Sequence, residues 1–345
     1  MINIHREDTQ IMKTQNQLKA TSLYKTMVHY QVQLAGRCAY QSLKKNDFWK
    51  VLAVSNNGFY CQNSSEDIIF IGSLKVCPGP LNVLCEMPSH LDWKKRGITT
   101  HSIILSHGEL ILINDRFMLT LRGAQQWQPV TMSKIWSLKV MEERIKVLSD
   151  EAQKRELCEG FSSLISLILN KNKGQAIKST PLFEMARPGV ESLLKWLEYE
   201  FSECEFSISE NINEIKALVG LGPGLTPSGD DFLGAIMVTL HSIGRKDLAK
   251  RMASILLPIA LTQTGKISLA HLQCAAQGQG YKVLHDVIYA LGESKKSKLE
   301  SILKKMDDIG HTSGWDAMAG VALVLKALLG KGHSPMLTKH KDLIR

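Results

Sequence analysis

The hydrophobic period changes once along this 345-residue chain, and that change restricts the fold more than any single motif. From about residue 30 to 125, apolar residues come in short alternating or continuous runs separated by turn signals. "FWKVLAVS" leads through "NNG" into "FYCQ" and "SEDIIFIGS", and later come "SIILSHGELILIN" and "RFMLTLRG". Asn57-Gly58 and His107-Gly108 are hairpin signals, because glycine reaches the positive φ of tight hairpin turns. The two prolines of "VCPGPLNVLCEM" confine that stretch to an edge or to a loop before a strand. After "WQPV" at 127–130 apolar residues recur every three or four positions, the spacing of one helix face. Strands first and helices afterwards predict an α+β chain with segregated layers, not an alternating α/β fold.

The expected organisation is a flexible arm over 1–29, an antiparallel β-rich domain (sheet or small barrel) over 30–130, and an all-helical domain over 131–345. Helices are predicted within "SKIWSLKVMEERIKVLSDEAQKRELCEGFSSLISLIL" and "VESLLKWLEYEFSE". Further helices are expected near 229–243, 246–262, 267–277, 282–291, 297–306 and 314–329.

Within the helical half one helix start occurs twice. "TPSGDDFLGAIMVTL" at 226–240 aligns with "HTSGWDAMAGVALVL" at 311–325, so that Ser228-Gly229-Asp230-Asp231 faces Ser313-Gly314-Trp315-Asp316. Each is an S-x-x-D pattern, which predicts a capping box: serine caps an early N–H, and Asp231 or Asp316 reaches back. Asp230 and Trp315 share a slot and differ, and the cap does not need Asp230. Asp230 is therefore the functional candidate of the pair. Upstream, "GLGPG" supplies Gly222 and Gly224, whose backbone can approach a ligand and form an anion nest at the helix start. The spacing is neither the dinucleotide fingerprint nor a P-loop. A packing role for these glycines, and a purely capping role for the aspartates, stand beside the ligand reading.

The remaining chemistry is sparse. Lys266 in "TQTGKIS" offers charge to an anion, against the plainer reading of a solvated lysine. His311 sits just before the second start and is the candidate proton carrier, since imidazole changes charge near neutral pH. His271 and His285 on helix faces read as structural histidines, and no metalloprotease, nucleophile-elbow or Cys/His pattern occurs. The seven cysteines are scattered without a CxxC pair, as expected for free thiols in a reducing, cytoplasmic setting. No apolar stretch predicts a signal peptide or membrane span. The formal net charge is +9, but it is dispersed over "KKRG", "ESKKSKLESILKKMDD" and "KHKDLIR", and aromatics are only 6%. That dispersal argues against nucleic acid and fits small anions better.

Taken in order, "GLGPGLTPSGDDFLGAI", "ISLAHLQCAAQGQGYKVLHDVIYAL" and "GHTSGWDAMAGVAL" resemble the AllH family. The resemblance covers roughly 215–330, and "CPGPLNV" at 77–83 is similar to a feature of the family's first half. It implies a subunit of oxamate carbamoyltransferase, which converts oxalurate and phosphate to oxamate and carbamoyl phosphate in anaerobic allantoin degradation. It also implies companion subunits, one similar to succinyl-CoA synthetase. Where the family often carries a Thr-Thr pair, this chain has Thr264-Gly265-Lys266.

The two readings combine into one expected site. Gly222 and Gly224 amides hold a small anion with Thr226, Ser228 and Asp231, while Thr312, Ser313 and Asp316 close the other side and Lys266 adds charge. Asp230 and His311 are the expected catalytic pair. Two carboxylates beside an anion repel it by about 1 kcal/mol per pair at 4 Å in water. The aspartates then either point away, or Mg²⁺ at Asp230 and Asp231 offsets them. The alternatives are a related enzyme acting on another small carboxylate or acyl phosphate, and a non-catalytic assembly subunit whose glycines serve only helix packing.

Overall fold

The computed structural model of the chain describes residues 27–88, 92–130, 138–154, 159–169, 180–202, 212–292 and 296–330. It divides into two compact units between Trp127 and Gln128. The expected arm lies outside the described residues except for its last three.

The first unit holds β1 (Val28–Gly36), α1 (Arg37–Leu43), β2 (Asp47–Val54), β3 (Gly58–Asn63), β4 (Ile68–Ser73), β5 (Asn82–Cys85), β6 (Ile103–His107), β7 (Leu110–Ile113), β8 (Phe117–Thr120) and β9 (Gln125–Trp127). The strand order is β5-β4-β3-β2-β6-β7-β8-β1-β9, and β5 also pairs with β1, so eight strands close into a barrel. The β2–β3 and β6–β7 connections fall at the two hairpin signals. Gly108 has the expected positive φ, whereas Gly58 opens β3 without one and is required instead because a Cβ there would fall 2.3 Å from the Ile71 oxygen. The "CPGP" stretch is the expected loop before β5. Closure runs through β1, the longest strand. Its first residues pair in parallel with β8 and its last with β9, while its other edge meets β5 antiparallel with a register shift between Val32 and Leu34. Closure removes the unpaired edges that would otherwise template aggregation.

Alternation sends Trp49, Val51, Phe59, Cys61, Ile69, Ile71, Ile104, Ile111 and Leu119 inward, all essentially inaccessible. Trp49 keeps its indole N–H satisfied by the Ser106 hydroxyl at 3.0 Å. Burial holds the Cys61 and Cys85 thiols far above their ordinary range. Among the described residues Cys38, Cys61, Cys77, Cys85 and Cys274 form no disulfide; Cys158 and Cys204 lie outside the described residues.

The second unit holds α2 (Leu138–Gln153), α3 (Ser162–Leu169), α4 (Pro181–Glu200), α5 (Ile212–Lys216), α6 (Ser228–Ser242), α7 (Lys246–Gln263), α8 (Lys266–Ala275), α9 (Lys282–Leu291), α10 (Lys296–Leu303), a 3-10 turn (Lys304–Asp308) and α11 (Ser313–Leu329). The helix expected over 297–306 divides into α10 and that 3-10 turn. At the start of α4, the Thr180 hydroxyl accepts from the Phe183 N–H at 3.1 Å and Pro181 fills the first position, where its missing N–H costs nothing. α11 is the axis of the unit. It is buried almost all round and packs on α6, α3, α4 and α2. Such a helix belongs at the centre of a core. Its contact with α6 is close because Gly320 has no side chain: a Cβ there would lie 2.3 Å from the Phe232 carbonyl oxygen. No described helix is long and apolar enough to cross a membrane.

Candidate functional site

The sequence repeat is a structural repeat. The Leu221 N–H donates to the Leu218 carbonyl and the Ile309 N–H to the Met306 carbonyl, both at 3.2 Å. The Gly229 N–H then returns to Leu221 and the Gly314 N–H to Ile309, at 2.9 and 3.1 Å. A Cβ at Gly229 would fall 1.9 Å from the Leu218 oxygen, and one at Gly314 would fall 2.0 Å from that of Met306. These glycines are required because each helix start is pressed onto the backbone turn before it. The repeats differ in loop length, residues 222–228 in the first and only 310–313 in the second. The longer loop carries Gly222 and Gly224, both at positive φ, to the surface.

The expected capping boxes do not form. Pro227 and Thr312 occupy the cap positions, Ser228 and Ser313 open the helices, and neither cap makes a side-chain hydrogen bond. The first-turn N–H groups of Asp230 and Asp231 are instead taken up by the Pro227 carbonyl, and those of Trp315 and Asp316 by that of Thr312. The hydroxyls work across the repeat. Thr226 Oγ1 lies 3.1 Å from Ser313 Oγ. Ser313 and Thr226 face the Asp231 carboxyl, while Ser228 and Thr312 face that of Asp316. Each serine serves the other helix's acid because α6 and α11 begin side by side.

The three aspartates have different surroundings. Asp230 is 3% exposed and saturated by internal donors. Oδ1 accepts the Gly220 N–H at 2.8 Å, and Oδ2 accepts the Ser268 hydroxyl at 2.6 Å and the Thr264 hydroxyl. This carboxylate ties the glycine loop to the start of α8. Asp316 is fully buried, and its Oδ1 accepts the Phe161 N–H at 2.6 Å. Burial pushes its carboxyl up to about 6, against the Phe161 N–H and the Thr312 and Ser228 hydroxyls. Asp231 keeps part of its surface on a cleft, yet its Oδ2 is covered. Burial raises its carboxyl well above the ordinary range; the charges of Asp316 and Asp230 add to this, and the Ser313 and Thr226 hydroxyls oppose it. Oδ2 of Asp231 and Oδ2 of Asp316 have no hydrogen-bond partner, and neither do the buried hydroxyls of Ser162, Ser163 and Ser166 on α3.

The cleft measures about 50 Å³ and runs between α6, α8, α9 and the start of α11. Asp230, Asp231, Ser268 and Ser313 supply polar groups at one end. Gln279, Tyr281 and His271 supply others, and the rest of the wall is apolar. No lysine or arginine lines it. Burial pushes His271 down to about 4, so its imidazole is neutral, and Nε2 lies 3.3 Å from the Tyr281 hydroxyl. His285 is likewise held near about 4 by burial and accepts the Gly280 N–H on Nε2 at 3.0 Å.

Of the residues picked from sequence, Asp230, Asp231 and Ser313 line this cleft, with Ser228, Thr226, Thr312 and Asp316 packed about the two helix starts. Gly222 and Gly224 lie in the outer loop. Lys266 is exposed at the start of α8, and His311 is exposed with Nδ1 3.9 Å from Glu159 Oε2, away from the cleft wall. Sequence reasoning missed Gly160 and Phe161, which seat the Asp316 carboxyl, and set His271 aside as structural. It also gave Gln279 and Tyr281 no role. A Mg²⁺ clamp at Asp230 and Asp231 fits poorly, because three of the roughly four lone-pair sites of Asp230 are taken by donors. Among the described residues no three metal-ligating side chains gather.

Residues 218–325 match the family model described as oxamate carbamoyltransferase subunit AllH, which bears out the resemblance carried by the motifs. The matched stretch contains both repeat loops and every residue lining the cleft. No solved structure matches the chain.

Proposed function

We propose that this chain is a subunit of an oxamate carbamoyltransferase-type enzyme of the cytoplasm, acting with companion subunits, one of them similar to succinyl-CoA synthetase. The reaction is phosphorolysis of oxalurate to oxamate and carbamoyl phosphate, in allantoin and purine breakdown. The observation that carries this reading is the convergence of both repeat starts on one cleft inside the stretch that matches the family.

In this reading the small anionic substrate meets the glycine loop. Gly222 and Gly224 present backbone N–H groups beside the start of α6, where the helix dipole favours negative charge. The expected repulsion is reduced on two counts. The Asp230 charge is absorbed by three donors, and burial favours the protonated Asp231 carboxyl. Asp230 then acts as a positioning residue that fixes Gly220, Thr264 and Ser268, while His311 and Lys266 lie at the surface where a companion subunit can meet them. Transfer of a carbamoyl group needs charge stabilisation and alignment from such groups, not a covalent nucleophile.

The assembly reading keeps one observation in its favour: the close approaches of Gly229, Gly314 and Gly320 explain those glycines by packing alone. Reconstitution separates the two. Oxalurate phosphorolysis is measured with the companion subunits and this chain as parent or as Asp231→Asn. A drop of at least tenfold in turnover with assembly intact supports the proposal, and full activity leaves only the assembly role.

A further inference from the structure

We infer that the cleft beside Asp231 reads a primary carboxamide or ureido group, with the unpartnered Asp231 Oδ2 as acceptor for its N–H. The inference rests on the proposed function for its choice of ligand and on the cleft geometry for its chemistry. A covered carboxyl oxygen with no partner is costly unless a donor arrives, by about 1–3 kcal/mol for an unsatisfied buried group. In either protonation state the carboxyl keeps an oxygen that accepts an N–H. The wall offers an anion no balancing lysine or arginine. A carboxylate group is therefore the wrong occupant beside Asp231.

A metal cation is no better served. Hard cations take six or more oxygen ligands, and the wall provides the Asp231 carboxyl and little else that is not already bonded, since the Ser313 hydroxyl is engaged by Thr226. Asp230 is saturated, and Ser268 spends its proton on Asp230. A planar amide asks for less. It needs an acceptor for its N–H, a donor for its carbonyl from wall side chains such as Gln279 or Tyr281, and apolar surface against its faces, which Ala235, Ala275 and Ala317 supply. The cleft of about 50 Å³ admits such a group but not a bulky side chain.

Gly234 gives a clean test. A Cβ there would meet Ala275 Cβ at 3.5 Å and Leu272 Cδ2 at 3.8 Å, ordinary contacts with two residues of the cleft wall. Gly234→Ala should fold and, as a helix-interior glycine replaced by alanine, melt no lower than the parent, while narrowing the cleft. Binding of oxamate, oxamide and oxalate to the full-length chain is measured by calorimetry, with melting curves on the same samples. Oxamate and oxamide should bind, and oxalate, of similar size but without an N–H, should bind at least tenfold more weakly. Gly234→Ala and Asp231→Leu should each weaken oxamate at least tenfold, the former with its melting temperature kept.

Equal affinity for oxalate and oxamate would overturn the inference and leave an anion site. Unchanged oxamate binding by a folded Gly234→Ala, stabilisation by ammonium chloride but not oxamide, or no binding of any probe would also overturn it. Failure of the enzymatic reading looks different: the probes bind as stated, yet the reconstituted complex turns over normally with Asp231→Asn.

Discussion

Replacing Asp316 by asparagine should make the helical unit more stable at neutral pH and flatten its pH dependence. The carboxyl is fully buried and its value moves from an ordinary 3.8 to about 6. At about 1.4 kcal/mol for each tenfold change in proton affinity, ionised Asp316 costs the fold about 3 kcal/mol. The folded chain holds this proton more tightly than the unfolded chain. The stabilising effect is therefore complete below about pH 4, declines as pH rises toward about 6, and is absent above it. Asparagine keeps an oxygen for the Phe161 N–H and carries no charge to bury. Removing the charge also relieves Asp231, whose carboxyl Asp316 pushes upward. At neutral pH the variant should gain about 1–3 kcal/mol, several degrees for a unit of this size. Urea unfolding followed by helical circular dichroism across that pH range, on parent and variant, measures it. The difference between the two curves reports Asp316 together with its coupling to Asp231. Parallel curves between about pH 4 and 6 would refute the reasoning, as would a parent that gains stability on the variant as pH rises.

Three further outcomes follow from particular contacts. Gly320→Ala should lower the melting temperature by the equivalent of about 1–3 kcal/mol or more, since its Cβ would strike the Phe232 backbone and push α6 from α11; an unchanged melt would contradict the close crossing. Asp230→Ala leaves the Gly220 N–H and the Thr264 and Ser268 hydroxyls without their acceptor, and should cost about 2–4 kcal/mol in denaturant unfolding. In native labelling read by peptide mass spectrometry, Cys85, held up to about 12 by burial, should resist thiol reagents at neutral pH while the half-buried Cys38 and Cys77 react.

The helices were readable from sequence because one face repeats, and every end expected between 229 and 291 falls within two residues of the observed one. The repeat was readable too, as Ser-Gly followed two positions later by aspartate. What Ser228 and Ser313 do was not. An S-x-x-D pattern describes one helix and is blind to a second helix starting 85 positions on, so it predicts a cap where the hydroxyl in fact crosses over. Asp230 was singled out as surplus to capping, but no capping box forms, and its donors at Gly220, Thr264 and Ser268 come from tertiary packing. Gln279 and Tyr281 gave no signal, since a buried amide and a ring in "QGQGY" look like any turn between helices. In the first half, alternation marked the strands, yet the pairing of Val28 with Phe117 left no local trace.

Barrel closure through β1 also sets an order of events during synthesis. One edge of β1 finds β5 once the chain has reached Cys85, but its other edge waits for Phe117 to Trp127. At roughly 5–20 residues per second, Val28 stays unpaired on that side for several seconds after it emerges. During that time a strand bearing Val32 and Leu34 presents an open ladder to any neighbouring chain. Nascent chains stalled before Phe117 should be cut by protease within 28–36, and chains released beyond Trp127 should not. The first described strand is thus among the last to be enclosed.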